Sequence, residues 1–275
     1  MKKYFKLFFL VVVCLFITGC NGNTTRGIRH AGFNLSTTEF KCSGLLPASK
    51  EDIYYTKIKF LGDGFVITEE GGVYEISFSQ PYSNKENCRM VNLSEKITAI
   101  MDNSIAKASN GKFYYLTSNN NSRYAEVTYA DSSYEIYSIL LNEENVLKVI
   151  TISQNDGIYY ALKNDGNIYK IVIARSDYNQ PYQLISREVI YSKENFGEII
   201  DFNYGATAST TNYIRTRDSL YRTKILNIEE CKKYVDIECK YELQLDTELM
   251  EFLDSVLAYN GTTLLTNYGK YFTAS

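Results

Sequence analysis

The chain has 275 residues, with 29 Lys+Arg against 32 Asp+Glu and a formal charge of −3. No basic run breaks this mild acidity, which argues against nucleic-acid binding and against polybasic docking on a membrane. Tyrosine is abundant at 25 residues, with 14 Phe, no Trp, three Pro and a single His, a composition that favours half-buried pleated surfaces and hence an all-β body.

Lys2, Lys3 and Lys6 open the chain, and Leu7–Ile17 follows as an unbroken apolar run. Eleven residues rise about 16 Å as a helix, short of the ~30 Å hydrocarbon core, so the run is the core of a signal peptide and not a stable span. It closes on Ile17-Thr18-Gly19-Cys20. A general secretory site wants small residues at both −3 and −1, and Ile17 is too large for the first. The tetrad resembles the lipobox of bacterial lipoproteins. That resemblance implies cleavage between Gly19 and Cys20 and acylation of Cys20, so that residues 1–19 are lost and a membrane holds the chain through its N-terminal lipid. Each buried CH₂ would contribute ~0.8 kcal/mol. The resemblance also implies an address: Asn21 in place of aspartate after the cysteine favours the outer membrane, or the outer face of the cell membrane where there is only one. Three of the Lys+Arg lie in the leader and no acid does, leaving 26 against 32 and a formal −6.

Residues 20–32 read as anchor and tether, and residues 33–275 as one folded domain. The tether Asn21–Ala31 is polar and without apolar periodicity, with an r.m.s. reach of roughly 17–20 Å. Four cysteines remain beyond Cys20: Cys42, Cys88, Cys231 and Cys239. An even number in an exported chain reads as two disulfides. Three connectivities are open; Cys231 and Cys239, which enclose only Lys232–Glu238, are the favoured local staple, and Cys42 and Cys88 would then be the remaining pair. With no Cys-x-x-Cys, and with His30 alone in the tether, neither a zinc site nor any other metal or cofactor is expected.

The body repeats itself. Its clearest copy is Ile152–Ile171, ISQNDGIYYALKNDGNIYKI, in which Asn155-Asp156-Gly157 and Asn164-Asp165-Gly166-Asn167 bracket a strand and turn into another. Asp-Gly between β-rich runs is a strong hairpin signal. Phe60–Ile76 has the same grammar, with Gly62 and Gly71 spaced like Gly157 and Gly166. Weaker copies are Asn110–Val127 (turn Asn119–Ser122), Asn212–Ile225 (Asp218-Ser219) and Asn260–Phe272 (Tyr268-Gly269-Lys270). Their marker aromatics would be Tyr74, Tyr124, Tyr169, Tyr221 and Phe272, spaced 50, 45, 52 and 51. With flanking runs such as Leu147–Ile152 and Tyr182–Tyr191 there are about four strands per unit, and a ~40–50-residue period of four strands is that of a propeller blade.

The hairpin ALKNDGNIYKI resembles the units of regulator-of-chromosome-condensation and related propellers. The expectation is therefore an all-β, five-bladed β-propeller of about 50 residues per blade. Phe33–Cys42 would supply the outer strand of the last blade and so close the ring. A two-sheet β-sandwich is the alternative. Ile228–Asp246, the least repetitive stretch, reads as an elaborated loop between the fourth and fifth blades.

Catalytic grammar is missing: there is no Gly-x-Ser-x-Gly, no phosphate loop and no His-Glu-x-x-His. Asp63, Asp102, Asp156 and Asp201 fall near blade starts, where turn, solvated or capping roles outweigh a catalytic pair. The repeated tyrosines read as plugs between blades, and Tyr54, Tyr55, Tyr114, Tyr159 and Tyr204 as candidates for an exposed binding face. The resulting expectation is a non-enzymatic, lipid-anchored module that binds a protein or glycan partner in the cell envelope. A five-bladed carbohydrate-active enzyme and a passive structural subunit are the alternatives.

Overall fold

The short apolar runs between turn residues become strands. In the computed structural model the described residues are 58–76, 88–116, 124–204, 212–225 and 241–245, without 63, 94, 132, 178 and 217–218, together with four further strands, Phe33–Glu39, Val256–Tyr259, Thr263–Thr266 and Lys270–Ala274. The fold is all-β apart from two short helices. In chain order the strands are β1 (Phe33–Glu39), β2–β5 (Ile58–Leu61, Phe65–Thr68, Val73–Ile76, Cys88–Val91), β6–β8 (Ile97–Met101, Ile105–Ala108, Phe113–Tyr115) and β9–β12 (Val146–Ser153, Ile158–Lys163, Ile168–Ala174, Gln183–Tyr191). They continue with β13–β16 (Ile199–Asn203, Tyr213–Thr216, Leu220–Ile225, Tyr241–Leu245) and β17–β19 (Val256–Tyr259, Thr263–Thr266, Lys270–Ala274). Helix α1 is Tyr134–Leu141 and helix α2 is Lys193–Phe196.

These strands form successive antiparallel meanders, β2–β5, β6–β8, β9–β12, β13–β16 and β17–β19. The second and third are joined through a short parallel pairing of their first strands, Ile100 opposite Lys148 and Met101 opposite Val149. Among the described residues the strands fall into four sheets. β1 pairs antiparallel with β19, Phe33 opposite Ala274 and Leu35 opposite Phe272, so the N-terminal strand does lie at the edge of the last meander. At the other edge of that meander β17 runs within 8 Å of β2, Cα to Cα.

Register makes the units equivalent. Tyr74 sits opposite Val66, Tyr114 opposite Ala106, Tyr169 opposite Ala161, Tyr221 opposite Ile214 and Phe272 opposite Leu264, each beside the same central hairpin. The second marker is therefore Tyr114 and not Tyr124, and the spacing becomes 40, 55, 52 and 51. The hairpin of that unit is Ala108–Lys112, closed by Ala108 N–H to Lys112 O at 2.9 Å, the bond that Thr68 makes to Gly72 and Lys163 to Asn167. Asn119–Ser122, assigned to this turn from sequence, lies outside the described residues. Tyr124–Val127 instead runs back along β8 as an irregular fourth member, Tyr115 N–H donating to Ala125 O and Val127 N–H to Phe113 O. In the first unit Gly64, and not Gly62, corresponds to Gly157: Ile76 N–H donates to Gly64 O as Ile173 N–H does to Gly157 O, both at 2.9 Å. Part of the expected loop Ile228–Asp246 is also strand, since β16 closes the fourth meander.

Each sheet packs its face on the next. Phe60, Phe65, Ile67 and Val73 meet Ile97, Ile100 and Ala106; Met101, Ile105 and Phe113 meet Val149, Tyr159 and Ile171; Ile150, Leu162 and Ile168 meet Ile199, Phe202 and Ile214. All four residues of β3 are buried, whereas seven of the nine residues of the outer strand β12 are exposed. Burial is thus least in the last strand of the first and third units, β5 and β12.

The hairpin glycines carry the joints. Gly71 (φ +85) offers its carbonyl to Ile97 N–H at 2.8 Å, and a Cβ on it would lie 2.6 Å from Ile97 O. Gly111 (φ +83) holds the same place in the next unit with nothing within 4 Å of a Cβ. Gly111→Ala should cost only left-handed backbone strain, about 1–2 kcal/mol, and Gly71→Ala clearly more. Urea unfolding of both variants checks the order; equal losses would mean that the Gly71 joint carries no weight.

Candidate functional site

Asp201 was read as a solvated or capping residue, and its true setting is the deepest polar site described. Lys148, third in β9, and Asp201, third in β13, form an ion pair at 2.8 Å with side chains 1% and 4% exposed. Asp201 Oδ1 also accepts the Phe202 N–H at 2.8 Å, and Oδ2 accepts the Tyr213 hydroxyl at 2.8 Å. Arg215 is its cross-strand neighbour. Burial lowers the Arg215 pKa, while the Asp201 charge acts the other way. The Lys148 ammonium lies 5.7 Å from the ring centre of Phe60 on β2, and 6.0 Å from those of Phe202 and Tyr213. Strands of the first, third and fourth units therefore converge on one charge pair.

The other aspartates are also committed. Asp102, at φ +49 in the β6–β7 turn, accepts Thr151 N–H at 2.7 Å and Thr151 Oγ1 at 2.6 Å, tying the second unit to the third. Asp156 accepts the Ser153 hydroxyl at 2.6 Å within its own turn. Asp63 lies outside the described residues.

Among the described residues the large departure from the repeat is α1, inserted between β8 and β9. Ile136, Leu140 and Leu141 bury one face of it in the core between the second and third units. At its start the Asp131 carboxylate accepts the Ser133 N–H at 2.9 Å and the Tyr115 hydroxyl. That bond, with burial second, pushes the Tyr115 pKa up to about 12. Tyr134 packs edge-on against buried Phe113, with centroids 5.4 Å apart. Its ring also carries Tyr129 at 4.2 Å, and Tyr129 is 87% exposed. Glu135 accepts the Tyr182 N–H at 2.9 Å, and the Arg175 guanidinium lies 4.9 Å from the Tyr182 ring centre. The result is a preorganised aromatic surface rimmed by carboxylates, a setting in which an exposed tyrosine can stack on a ligand or fill a partner's pocket at low entropic cost.

The tyrosines singled out from sequence fall elsewhere. Tyr159 is 1% exposed, and desolvation pushes its pKa up to about 12. Tyr114 and Tyr204 are half-buried against the cores, Tyr204 stacked on Tyr160 at 5.3 Å. Tyr54 and Tyr55 lie outside the described residues. Of the repeated set, Tyr169 donates its hydroxyl to Asp165 at 2.7 Å, and Tyr221 packs edge-on against Phe196 at 5.1 Å. Of the cysteine assignments, Cys20, Cys42, Cys231 and Cys239 lie outside the described residues. Cys88 opens β5 and is disulfide-bonded, its partner also outside them. Among the described residues no group of three or more His, Cys, Asp or Glu could hold a metal ion, and no helix is long and apolar enough to cross a membrane. No family model matches the chain, and no curated protein is similar to it.

Removing one member of a buried ion pair strands the other, so Lys148→Met should lose about 3–5 kcal/mol of stability. Adding Asp201→Leu, Tyr213→Phe and Arg215→Met to that variant removes the stranded groups, including the guanidinium that Asp201 faces, and should restore much of the loss. Denaturant titration of both variants measures this; a Lys148→Met protein as stable as the parent would show that the pair constrains nothing.

Proposed function

We propose that this chain is a lipid-anchored recognition module of the bacterial envelope, held on the outer membrane through Cys20 and built as a five-bladed β-propeller. Support for the propeller comes from five hairpins in equivalent register, the low burial of the last strands β5 and β12, the pairing of β1 with β19, the approach of β17 to β2, and the convergence of three units on Lys148. The lipobox-like Ile17-Thr18-Gly19-Cys20 supports the anchor. The observation that carries recognition is the Tyr129–Tyr134 surface, where, among the described residues, a non-repeating insertion presents an exposed aromatic group packed on a second ring. An enzymatic reading needs two carboxylates free to flank a sugar; Asp201 is bound to Lys148 and Tyr213, and Asp102 to Thr151.

Metabolic labelling with an alkyne fatty acid should mark the parent and not Cys20→Ala; equal labelling would dispose of the anchor. Cross-linking in intact envelopes should capture a stoichiometric partner, with about tenfold less recovered from Tyr129→Ala. Capture that ignores this substitution would remove the Tyr129 surface from the proposal.

Closure of the ring has its own test. Deleting Phe33–Glu39 uncovers β19 and should lower stability by several kcal/mol with edge aggregation, whereas deleting Gly22–Arg29 should leave the melting temperature unchanged. A strand deletion that melts like the parent would refute closure.

A further inference from the structure

β12 and β1 are equivalent strands that begin at the same place. Gln183 lies opposite Ala174 at the end of β11, and Phe33 lies opposite Ala274 at the end of β19. Each opens an outer strand laid antiparallel on the third strand of its unit. In the five-bladed reading these two ends face the same way. The chain enters β1 at that end, coming from residues 20–32, read from sequence as an anchor and a tether of roughly 17–20 Å reach. The surface that holds the lipid is therefore kept close to the end at which β12 starts.

That end of the third unit is apolar. Leu184 and Ile185 are 43% and 61% exposed, whereas Ile171 and Ile173 on the neighbouring strand are buried. The ladder slips between Leu184, opposite Ile173, and Ser186, opposite Val172, so Ile185 is a bulge residue with no partner across it. Bulges at sheet edges serve to re-aim a side chain. Just before the strand, the Arg175 guanidinium lies 4.9 Å from the ring centre of Tyr182. Gln183–Ser186 carries no charge. Charges begin at Arg187 and Glu188, which are paired with Glu143 at 2.9 Å and Lys170 at 3.2 Å. The strand thus runs from an apolar start, flanked by a cation and an aromatic ring, into a charged middle. Groups follow one another in this order on passing out of an acyl layer through its headgroups.

Two other occupants fit less well. An added strand needs an unbroken edge, and this one is broken twice in nine residues, at Ile185 and again between Val189 and Tyr191. A second copy laid antiparallel on β12 by a two-fold axis sets one residue against itself, and an axis through Arg187 or Glu188 opposes like charges.

We infer that the start of β12 rests on the phospholipid surface that holds the anchor, with Leu184 and Ile185 at the headgroup–acyl boundary and Arg175 at the phosphates. The inference goes beyond the recognition reading, rests on the anchor reading for its membrane, and does not use the Tyr129 ring. The experiment takes the full acylated chain, reconstituted in vesicles of equal parts phosphatidylethanolamine and phosphatidylglycerol. An environment-sensitive fluorescent amino acid replaces either Gln183 or Asn164, an exposed residue at the other end of the same sheet, about 20 Å away. Lipid-borne quenchers should quench the probe at 183 several-fold more than the probe at 164. Leu184→Glu with Ile185→Glu should abolish that difference while flotation with the vesicles and the melting temperature are retained. Equal quenching at the two positions in the parent, or a difference that survives the double substitution, would overturn the contact. So would shielding of the 183 probe that disappears when the protein is diluted among vesicles, which would assign the strand to a second copy. A chain that does not float with the vesicles loses the anchor and this contact together, whereas one that floats with both probes in water loses the contact alone.

Discussion

The Lys148–Asp201 pair is the constraint on which the arrangement of units depends. Taking two ions out of water costs several kcal/mol each, and their attraction repays this only where geometry and further hydrogen bonds are good. Here Asp201 is bonded by Lys148, the Phe202 amide and the Tyr213 hydroxyl, and Lys148 is surrounded by the rings of Phe60, Phe202 and Tyr213. Such a pair adds little net stability against an apolar filling. Its strength is as a restriction: any slip of the third unit against the fourth leaves two charges without partners in an apolar setting. Apolar faces alone tolerate sliding, because burial is non-directional.

Around that point the units are assembled from local pieces. The hairpins of the first three units close through the same short backbone bond, and the first four units meet one another through faces of Ile, Val and Phe. Contacts between neighbours in sequence are many, and three long-range links stand apart from them: β1 with β19, β17 with β2, and Lys148 with Asp201 and Phe60. The chain thus combines modular construction with a few obligatory distant contacts.

Much of this was legible in the sequence wherever the signal was local. Asp-Gly and Gly-Gly turns between β-rich runs locate the hairpins of the first and third units, and the unpaired β-capable stretch upstream falls on β1. The second unit departs from an even period near fifty because Asn110-Gly111 is its central turn and not its beginning, which makes the spacing 40 and then 55. Helix α1 went unread because Tyr-Glu-Ile-Tyr-Ser-Ile has the propensity of a strand, and only the packing of Ile136, Leu140 and Leu141 makes it helical. Asp201 could not be read at all, since its partner lies 53 residues away and nothing beside it in sequence marks a buried charge. Tyr159 and Tyr129 show the same limit from the other side: composition supplied the tyrosines, but only the sheet faces decide which is 1% and which is 87% exposed.

The insertion of α1 interrupts the repeat at one described joint. A repeat satisfies itself: a hairpin carbonyl finds the next amide, an apolar face finds the next face, and little is left for a ligand. Between the second and third units that logic is interrupted. The apolar side of α1 still fills the core, so the fold survives, but its two ends have no repeat partner to meet. Its first turn meets solvent with Tyr134 carrying Tyr129, and its last turn holds the third unit away from Gly111. One departure from the pattern thereby creates an exposed aromatic surface and leaves the hairpin at Gly111 open. The cost is small, because the joint lost at Gly111 is replaced by Asp102 reaching Thr151 and by Lys107 reaching the carbonyl of Leu141. Binding surfaces on a repetitive scaffold arise where a joint can be opened and its hydrogen bonds re-made nearby, and this is the described joint at which both conditions hold.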